Sequence, residues 1–482
     1  MSSFSRRRFL EDSMFAAAAA VVANAAPVAF AQPAGTKSPN DRLSVCVVGC
    51  NGRGGSHIGA YTASDKNRDT EITYICDVDE AVGQKQCDAI EKKQGRRPKW
   101  VADMREAFAD KNLDIVTTAT PNHWHSLVAI WAMQAGKDVY VEKPVSHNVS
   151  EGRRAVEAAR KYAKICQTGT QCRSAKGTID AIEFIKNGGI GKVSIARGLC
   201  YKPRGSIGDK VEGTVPSTVD YNLWAGPARM LPVTRKKFHY DWHWIWEYGN
   251  GDLGNQGIHQ MDVARWGLGV NELSKGIFSY GGRLSYIDAG ETANTQTVVH
   301  DYGDKQLIFE VRGLKTDAYR GAKVGNVFHG SEGYVVLTSY NGGAAFDLKG
   351  NKIKEFTGGD NHFQNFIAAV RSRKHTDLNA DILEGHLSSA LCHTGNISYR
   401  LGEQITIGEA KDRLKGEDNK ETYARFAEHL KENGVDEKTK ISFGKTLTMD
   451  PATETFIGDA DANRQLTREY RAPFIVPAAG QV

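Results

Sequence analysis

Several common chemistries are excluded by what this sequence lacks. Its eight cysteines contain no Cys-x-x-Cys pair, which argues against a zinc ribbon or a thioredoxin-type redox motif. Cys46, Cys50 and Cys76 lie in apolar, strand-like contexts, and Cys87 and Cys392 in helical ones; buried free thiols are expected there. Without a nearby carboxylate or a short-spaced histidine partner for His386 and His393, no metal site is expected. His386 and His393, one heptad apart, are read as helix-face or core residues. There is no internal repeat and no long basic block. Lys and Arg number 62 against 57 Asp and Glu, a net charge of +5 on 482 residues. That excess is too small and too dispersed to suggest nucleic-acid binding. With 25% charged and 40% hydrophobic residues, the composition is that of a soluble globular chain long enough for two domains.

The start of the chain reads as an address. Ser5-Arg6-Arg7-Arg8-Phe9-Leu10 precedes an alanine-rich apolar stretch over 14–22 that continues weakly to Phe30, and Ala29-Phe30-Ala31 offers small residues for cleavage. A basic region, an apolar region and a small-residue site make a secretory signal rather than a membrane span. The arginine pair before Phe-Leu resembles a twin-arginine signal, with an ordinary secretory signal or an uncleaved anchor as the alternatives. Residues 1–31 are read as the signal and the Pro/Ser/Asn-rich residues 32–41 as a linker. The twin-arginine machinery would be a transport partner and the location periplasmic or otherwise exported. That route carries folded proteins, so a cofactor could travel inside the fold.

Residues 43–55, LSVCVVGCNGRGG, set the plan of the chain beyond the linker. Val45, Val47 and Val48 suit a strand buried on both faces. The glycines then make a turn into a helix start, where free backbone N–H groups and a positive dipole end could receive a pyrophosphate. Gly49 suits the tight turn and Gly54 a close helix–strand approach. Asn51 stands where the usual second glycine would be, with Gly52 and Arg53 after it; Asn is one of the few other residues that tolerate positive φ. A second strand, 71–77, ends on Asp77. That carboxylate could accept hydrogen bonds from the adenine-ribose hydroxyls, favouring NAD over NADP, or it could cap the helix over 78–94.

Further strands and helices alternate through residue 169, as in a parallel sheet with helices on both faces. The strand over 114–119 ends at Thr120-Pro121-Asn122-His123-Trp124-His125, and the strand over 138–141 ends at Glu142-Lys143-Pro144. Ligands of such sheets bind outside the carboxyl ends of the strands. Taken together, the glycine turn, Asp77, Thr-Pro-Asn-His-x-His and above all Glu142-Lys143-Pro144 resemble the Gfo/Idh/MocA oxidoreductases over about residues 42–402.

The resemblance implies an N-terminal Rossmann domain, a doubly wound parallel sheet over residues 42–169. It also implies a C-terminal α/β domain, residues 170–402, whose open-faced, antiparallel or mixed sheet carries the substrate and often an oligomer contact, so a homo-oligomer is expected. The cofactor site would comprise Gly49, Asn51, Gly52, Arg53, Gly54, Asp77, Thr120, Pro121, Asn122, His125, Glu142, Lys143 and Gln171. Lys143 would hydrogen-bond both the substrate hydroxyl and the cofactor. His259, in Gly254-Asn255-Gln256-Gly257-Ile258-His259, matches the family's catalytic histidine and would be the general base. The family carries an acid four residues earlier; here that position is Asn255, with Asp252 further back.

Arg173, Trp244, Asn255 and His259 are the candidate substrate contacts. Trp242, Trp244 and Trp246 recur at every second position, as core or as a wall for sugar rings. Residues 403–482 are polar and charge-rich, and are expected to form a few helices and an arm packed on the body or on a partner chain. Three functions compete: an exported NAD-dependent oxidoreductase acting on a secondary hydroxyl of a sugar, cyclitol or glycoside, with a tightly held nicotinamide; a redox-neutral enzyme that oxidises, eliminates and reduces a glycoside; and a non-enzymatic sugar-binding protein.

Overall fold

The computed structural model describes residues 42–62 and 69–482. The expected signal and linker, residues 1–41, lie outside the described residues. Among those described, no helix is long and apolar enough to cross a membrane.

The first domain alternates strand and helix: β1 (Leu43–Val48), α1 (Gly54–Tyr61), β2 (Thr70–Cys76), α2 (Glu80–Gln94), β3 (Lys99–Val101), α3 (Met104–Phe108), β4 (Ile115–Thr118), α4 (Asn122–Gln134), β5 (Asp138–Val141), α5 (Val149–Lys161) and β6 (Cys166–Thr168). The six strands lie in the order β3-β2-β1-β4-β5-β6, and every pairing is parallel. The near-continuous apolar run of β1 has a physical reason. Val45 and Val47 pack on one face against Ile58 and Tyr61 of α1 and Ile90 of α2. Cys46 and Val48 pack on the other, in the core that holds Leu127 and Val128 of α4 and Ala155 of α5. A strand covered on both faces has no use for alternation. This doubly wound sheet is the Rossmann arrangement, with its order reversing between β1 and β4.

The second domain opens with α6 (Lys176–Lys186) and β7 (Val193–Tyr201). A long segment, 202–250, holds only the short α7 (Tyr221–Ala225) and a 3₁₀ turn. Then come α8 (Gly251–Asn255), α9 (Gly257–Leu268), β8 (Gly276–Gly282), β9 (Thr295–Asp301), β10 (Gln306–Arg312), β11 (Val324–Gly330), β12 (Gly333–Ser339), β13 (Gly342–Asp347) and β14 (Lys352–Phe356). After these lie α10 (His362–Ser372), α11 (Ile382–Arg400), β15 (Glu403–Thr406), α12 (Ile407–Arg413), α13 (Glu417–Glu432), β16 (Lys440–Phe443), β17 (Leu447–Asp450) and β18 (Thr455–Phe456). The main sheet runs β14-β13-β12-β11-β7-β10-β9-β8-β16-β15. It is mixed: β7 and β10 are parallel, and the neighbouring pairs are antiparallel. One face carries α9, whose Ile258, Met261 and Ala264 join Phe309 and Phe328 of the sheet and Leu387 and Leu391 of α11 in a single core.

Residues after 402 do not form a separate extension. β15 and β16 lengthen the main sheet beyond β8, and β17 pairs with β8 as well. Tyr423, Phe426 and Leu430 of α13 cover Tyr280 of β8. Only the tail runs as an arm, and it buries Phe474, Val476 and Val482 in the core of the first domain.

Candidate active site

The carboxyl ends of β1, β2, β4 and β5 open into a cavity of about 490 Å³ that continues to the first turn of α9. The glycine turn fits close to the sheet. Gly49 has φ +78°, and a Cβ there would lie 2.8 Å from the Thr120 nitrogen. A Cβ on Gly54 would lie 2.1 Å from the Gly49 carbonyl oxygen, which is the close helix–strand approach expected of it. Positive φ falls on Gly52, at +53°, rather than on Asn51, so the chain makes its turn without needing a glycine at 51. Space beside Gly52 is open to 4 Å.

Asp77 sits at the end of β2 against this turn. One carboxylate oxygen accepts the Cys50 N–H at 2.7 Å and the other the Asp79 N–H at 3.0 Å. It lines the cavity, and each oxygen keeps a further lone pair. Burial raises its pKa, against the pull of those two amides. The capping role belongs to Asp79, whose side chain accepts from the Ala81 and Val82 N–H groups at the start of α2.

Thr120, Pro121, Asn122 and His125 also line the cavity. Asn122 to His125 form the first turn of α4, with Thr120 and Pro121 leading into it. His125 bridges the carbonyls of Pro144 and Thr120, tying two strand ends together. Asn122 donates to the Asn250 side chain at 2.9 Å, so it links the two domains.

Glu142 is buried and fully engaged. Its Oε1 accepts from Arg53 Nε at 2.7 Å and from His57 Nε2 at 3.2 Å. Burial works to raise its pKa, but His57, Arg53 and Lys143 outweigh that and hold it well below the usual carboxylate range. Gly169 is small for this reason: a Cβ there would come 2.8 Å from the Glu142 carboxyl carbon. Lys143, next along the chain, donates from Nζ to the Asn255 carbonyl at 2.9 Å. Burial lowers its pKa although Glu142 opposes the shift.

His259 comes from the other domain, in the first turn of α9, and lines the same cavity. Its Nδ1 is buried with no partner among the described residues. Burial, then the nearby Lys143 ammonium, push its pKa well below 6.5, so the imidazole is neutral at pH 7. Its ring lies 4.8 Å from that of Tyr340. Asp252 does not replace the missing acid: its carboxylate is paired with Arg204 through two contacts, at 2.8 and 2.9 Å.

Gln171 and Asn255 are brought into the site; Arg173 and Trp244 are not. Arg173 is buried beneath α9, in ion pairs with Asp262 and Glu384 at 2.8 and 2.9 Å. The alternate spacing of the tryptophans suggested a shared face, but residues Asp241–Trp244 form a 3₁₀ turn. Trp242 therefore reaches the cavity, while Trp244 packs with Ile207 and Ala289. His386 and His393 are buried: His386 pairs with Glu454 and His393 contacts Ser146. Among the described residues, no group of three His, Cys, Asp or Glu could hold a metal.

Of one wall of the cavity, only Trp242 was among the residues the sequence suggested; Trp224, His239 and Tyr240 were not. Trp224, His239, Tyr240 and Trp242 of segment 202–250 line the cavity. This segment is clamped to the first domain beside Asp77. The Glu80 N–H donates to the Thr218 carbonyl, the Asp220 N–H to the Val78 carbonyl, and Thr218 Oγ1 and His239 Nε2 both meet the Asp79 carboxylate. Beyond the alternate tryptophans at 242–246 it has no regular period, and nothing in its local pattern says which part of the chain it will touch. Tyr340, from the turn between β12 and β13, was missed for the same reason.

The residues present fit a dinucleotide. A glycine cradle stands at a helix start and a carboxylate at the end of β2. Three residues that line the cavity each keep a buried polar atom with no partner among the described residues: Arg53 Nη2, Gln171 Oε1 and His259 Nδ1.

Comparison with known proteins agrees with this geometry. Residues 43–170 match the family model described as an oxidoreductase family NAD-binding Rossmann fold. Residues 192–428 match the corresponding C-terminal alpha/beta domain. Among curated proteins, a glycosyl hydrolase family 109 protein of Shewanella baltica is 27% identical over 209 residues, 40% of this chain and 45% of that protein. An alpha-N-acetylgalactosaminidase of Shewanella oneidensis is 25% identical over the same shares. The chain thus spans less than half the length of these relatives. Among solved structures, the WlbA dehydrogenase of Bordetella pertussis, in complex with NADH and UDP-GlcNAcA, superposes with a TM-score of 0.54 at 20% identity, covering 73% of this chain and 94% of that one. With both characteristic domains present in order, the chain belongs to the Gfo/Idh/MocA oxidoreductase family and carries its NAD-binding Rossmann domain.

Proposed function

We propose that this protein is an exported NAD-dependent oxidoreductase acting on a secondary hydroxyl of a sugar, cyclitol or glycoside. The observation that carries the reading is the convergence of Lys143, from the end of β5, and neutral His259, from α9, on one cavity. Bound NAD supplies the hydride acceptor. The chain's own residues do the rest. His259 takes the hydroxyl proton on its imidazole. The Lys143 ammonium, positioned by the Asn255 carbonyl, stabilises the negative charge that grows on the substrate oxygen. Glu142, held ionised by Arg53 and His57, fixes Lys143 and the glycine turn relative to one another.

The wall formed by segment 202–250, tied to the first domain through Asp79 and lining the cavity, supports a tightly held cofactor. Export in the folded state would then deliver protein and NAD together, and self-association through the second sheet would complete the particle. Two measurements test the reading. Protein purified from the periplasmic fraction without added nucleotide, then denatured, should release near-stoichiometric nicotinamide dinucleotide; empty protein that needs NAD for every turnover overturns retention. A screen of sugars, cyclitols and glycosides should reduce the bound nicotinamide, and no reduction by any of them overturns the substrate class. Light scattering of the same sample gives the oligomeric state.

A second reading, redox-neutral cleavage of a glycoside, is favoured by the glycosyl hydrolase and alpha-N-acetylgalactosaminidase relatives. Oxidation of a ring hydroxyl acidifies the adjacent C–H, the leaving group departs, and the hydride returns. Release of the aglycone with no net change in nicotinamide absorbance identifies this reaction. The presence of Glu142-Lys143-Pro144 weighs toward the first reading.

A further inference from the structure

Tyr340 reaches the cavity from the turn between β12 and β13, an element far from both His259 and Lys143 in the chain. Its backbone is fixed, since the Thr178 hydroxyl donates to the Tyr340 carbonyl at 2.8 Å. A Cβ on Gly177 of α6 would lie 2.0 Å from the next carbonyl, that of Asn341. The turn is thus seated tightly on α6, and the phenol is held against the His259 ring.

The direction of the phenol hydrogen is set by its neighbours. Lys202 Nζ lies 3.2 Å from Gln256 Oε1. An ammonium can only donate, so the amide must present its oxygen to Lys202 and its NH₂ to the other side. Both hydrogens of that NH₂ are then placed: Nε2 lies 2.5 Å from the Tyr340 hydroxyl and 3.4 Å from Gln260 Oε1. Tyr340 oxygen is therefore an acceptor toward Gln256, and its own hydrogen has no acceptor among the described residues. Burial pushes the phenol pKa up to about 12, so the hydrogen stays on at neutral pH.

We propose that Tyr340 is a substrate-binding residue, its hydroxyl donating to an oxygen on the ring carbon next to the one oxidised, with Lys202 and Gln256 setting the direction of that bond. This defines the substrate class: a ring bearing an acceptor oxygen, hydroxyl or acyl, beside the reacting hydroxyl. The role rests on the sugar-oxidoreductase reading and adds a contact that the reading does not require.

The test uses the full chain with its cofactor. Tyr340→Phe keeps the ring against His259 and removes only the hydroxyl. It is expected to raise KM, and the dissociation constant from equilibrium sugar titration, by about tenfold, the worth of one hydrogen bond, with kcat little changed. Lys202→Met frees the Gln256 amide to turn and recapture the Tyr340 hydrogen, so it should weaken sugar binding in the wild-type background and add nothing in the Tyr340→Phe background. Lys202→Arg retains a donor and should restore binding. A KM and dissociation constant unchanged in Tyr340→Phe, or a Lys202→Met effect that persists in full without the hydroxyl, overturns the proposal while leaving the oxidoreductase reading intact. If the wild type neither binds nor oxidises any sugar or cyclitol, both fall.

Discussion

The two sheets of this protein are assembled by opposite rules. The first takes its strands from consecutive strand–helix units between residues 43 and 168, and all its pairings are parallel. The second draws neighbours from far apart: β7 lies between β10 and β11, and β8 lies between β9 and β16. The cofactor half of the site is thus built from local modules, each ending at the same edge of one sheet. The other half depends on turns and segments that only the complete fold brings together. A motif-carrying half and an assembly-dependent half should respond differently to substitution.

The largest expected effect lies where the halves meet. Lys143→Ala and His259→Ala should each lower kcat/KM by on the order of 10²–10⁴, with NAD binding largely intact for His259→Ala and a milder loss for His259→Asn. Steady-state rates and nucleotide titration check both, and activity within a few-fold of wild type would remove the assignment. The pH profile sharpens the same point. His259 is depressed below 6.5, so its base form persists at neutral pH and is lost only as pH falls further; kcat/KM should decline below pH 6.5. Lys143 is depressed below 10.5, so the alkaline decline should begin before that pH. A decline centred on 6.5, abolished in His259→Asn, would mean that burial does not act on this imidazole.

Gly54→Ala tests whether the cofactor half is as local as it looks. The added Cβ would meet the Gly49 carbonyl at 2.1 Å, and backbone must move. A loss of roughly 1–3 kcal/mol of stability is expected from such overpacking, along with weakened NAD binding, both readable by thermal unfolding with and without nucleotide. Wild-type NAD affinity in this variant would show that the turn is not the pyrophosphate site. Asp77→Ala should weaken NAD binding by about tenfold and relax discrimination against NADP; unchanged NAD affinity would remove the ribose assignment. Trp244→Phe should matter least: that ring packs away from the cavity, so sugar KM should stay within about twofold, and a larger rise would place it in the substrate site after all.

The contrast also explains what could be read in advance. β1 to β6 were legible because each is a short apolar run bounded by turn residues, and the polar clusters at their ends fell together by the topology of a parallel sheet. His259 was legible from the family motif around it. Strand β13 was not, because Gly342, Gly343, Ala344 and Ala345 give no β-branched signal; nor was β14, an exposed edge strand with lysines at 352 and 354. Arg173 was a candidate substrate contact, but it is taken up by ion pairs that nothing near it in the sequence announces. Its partners, Asp262 and Glu384, come from α9 and α11. Tyr340 and the aromatic wall share that difficulty: their neighbours are set by closure of the second sheet over α6 and α9.

The clamp of Thr218 and His239 on Asp79 has a kinetic consequence. If the nicotinamide is retained as proposed, the reduced protein itself is the intermediate between two half-reactions. Double-reciprocal plots for donor and acceptor should then be parallel lines, the ping-pong pattern. Loosening the clamp with Thr218→Val and His239→Leu should convert them to intersecting lines as the dinucleotide begins to exchange, turning a self-contained carrier into an enzyme that depends on the free nucleotide around it.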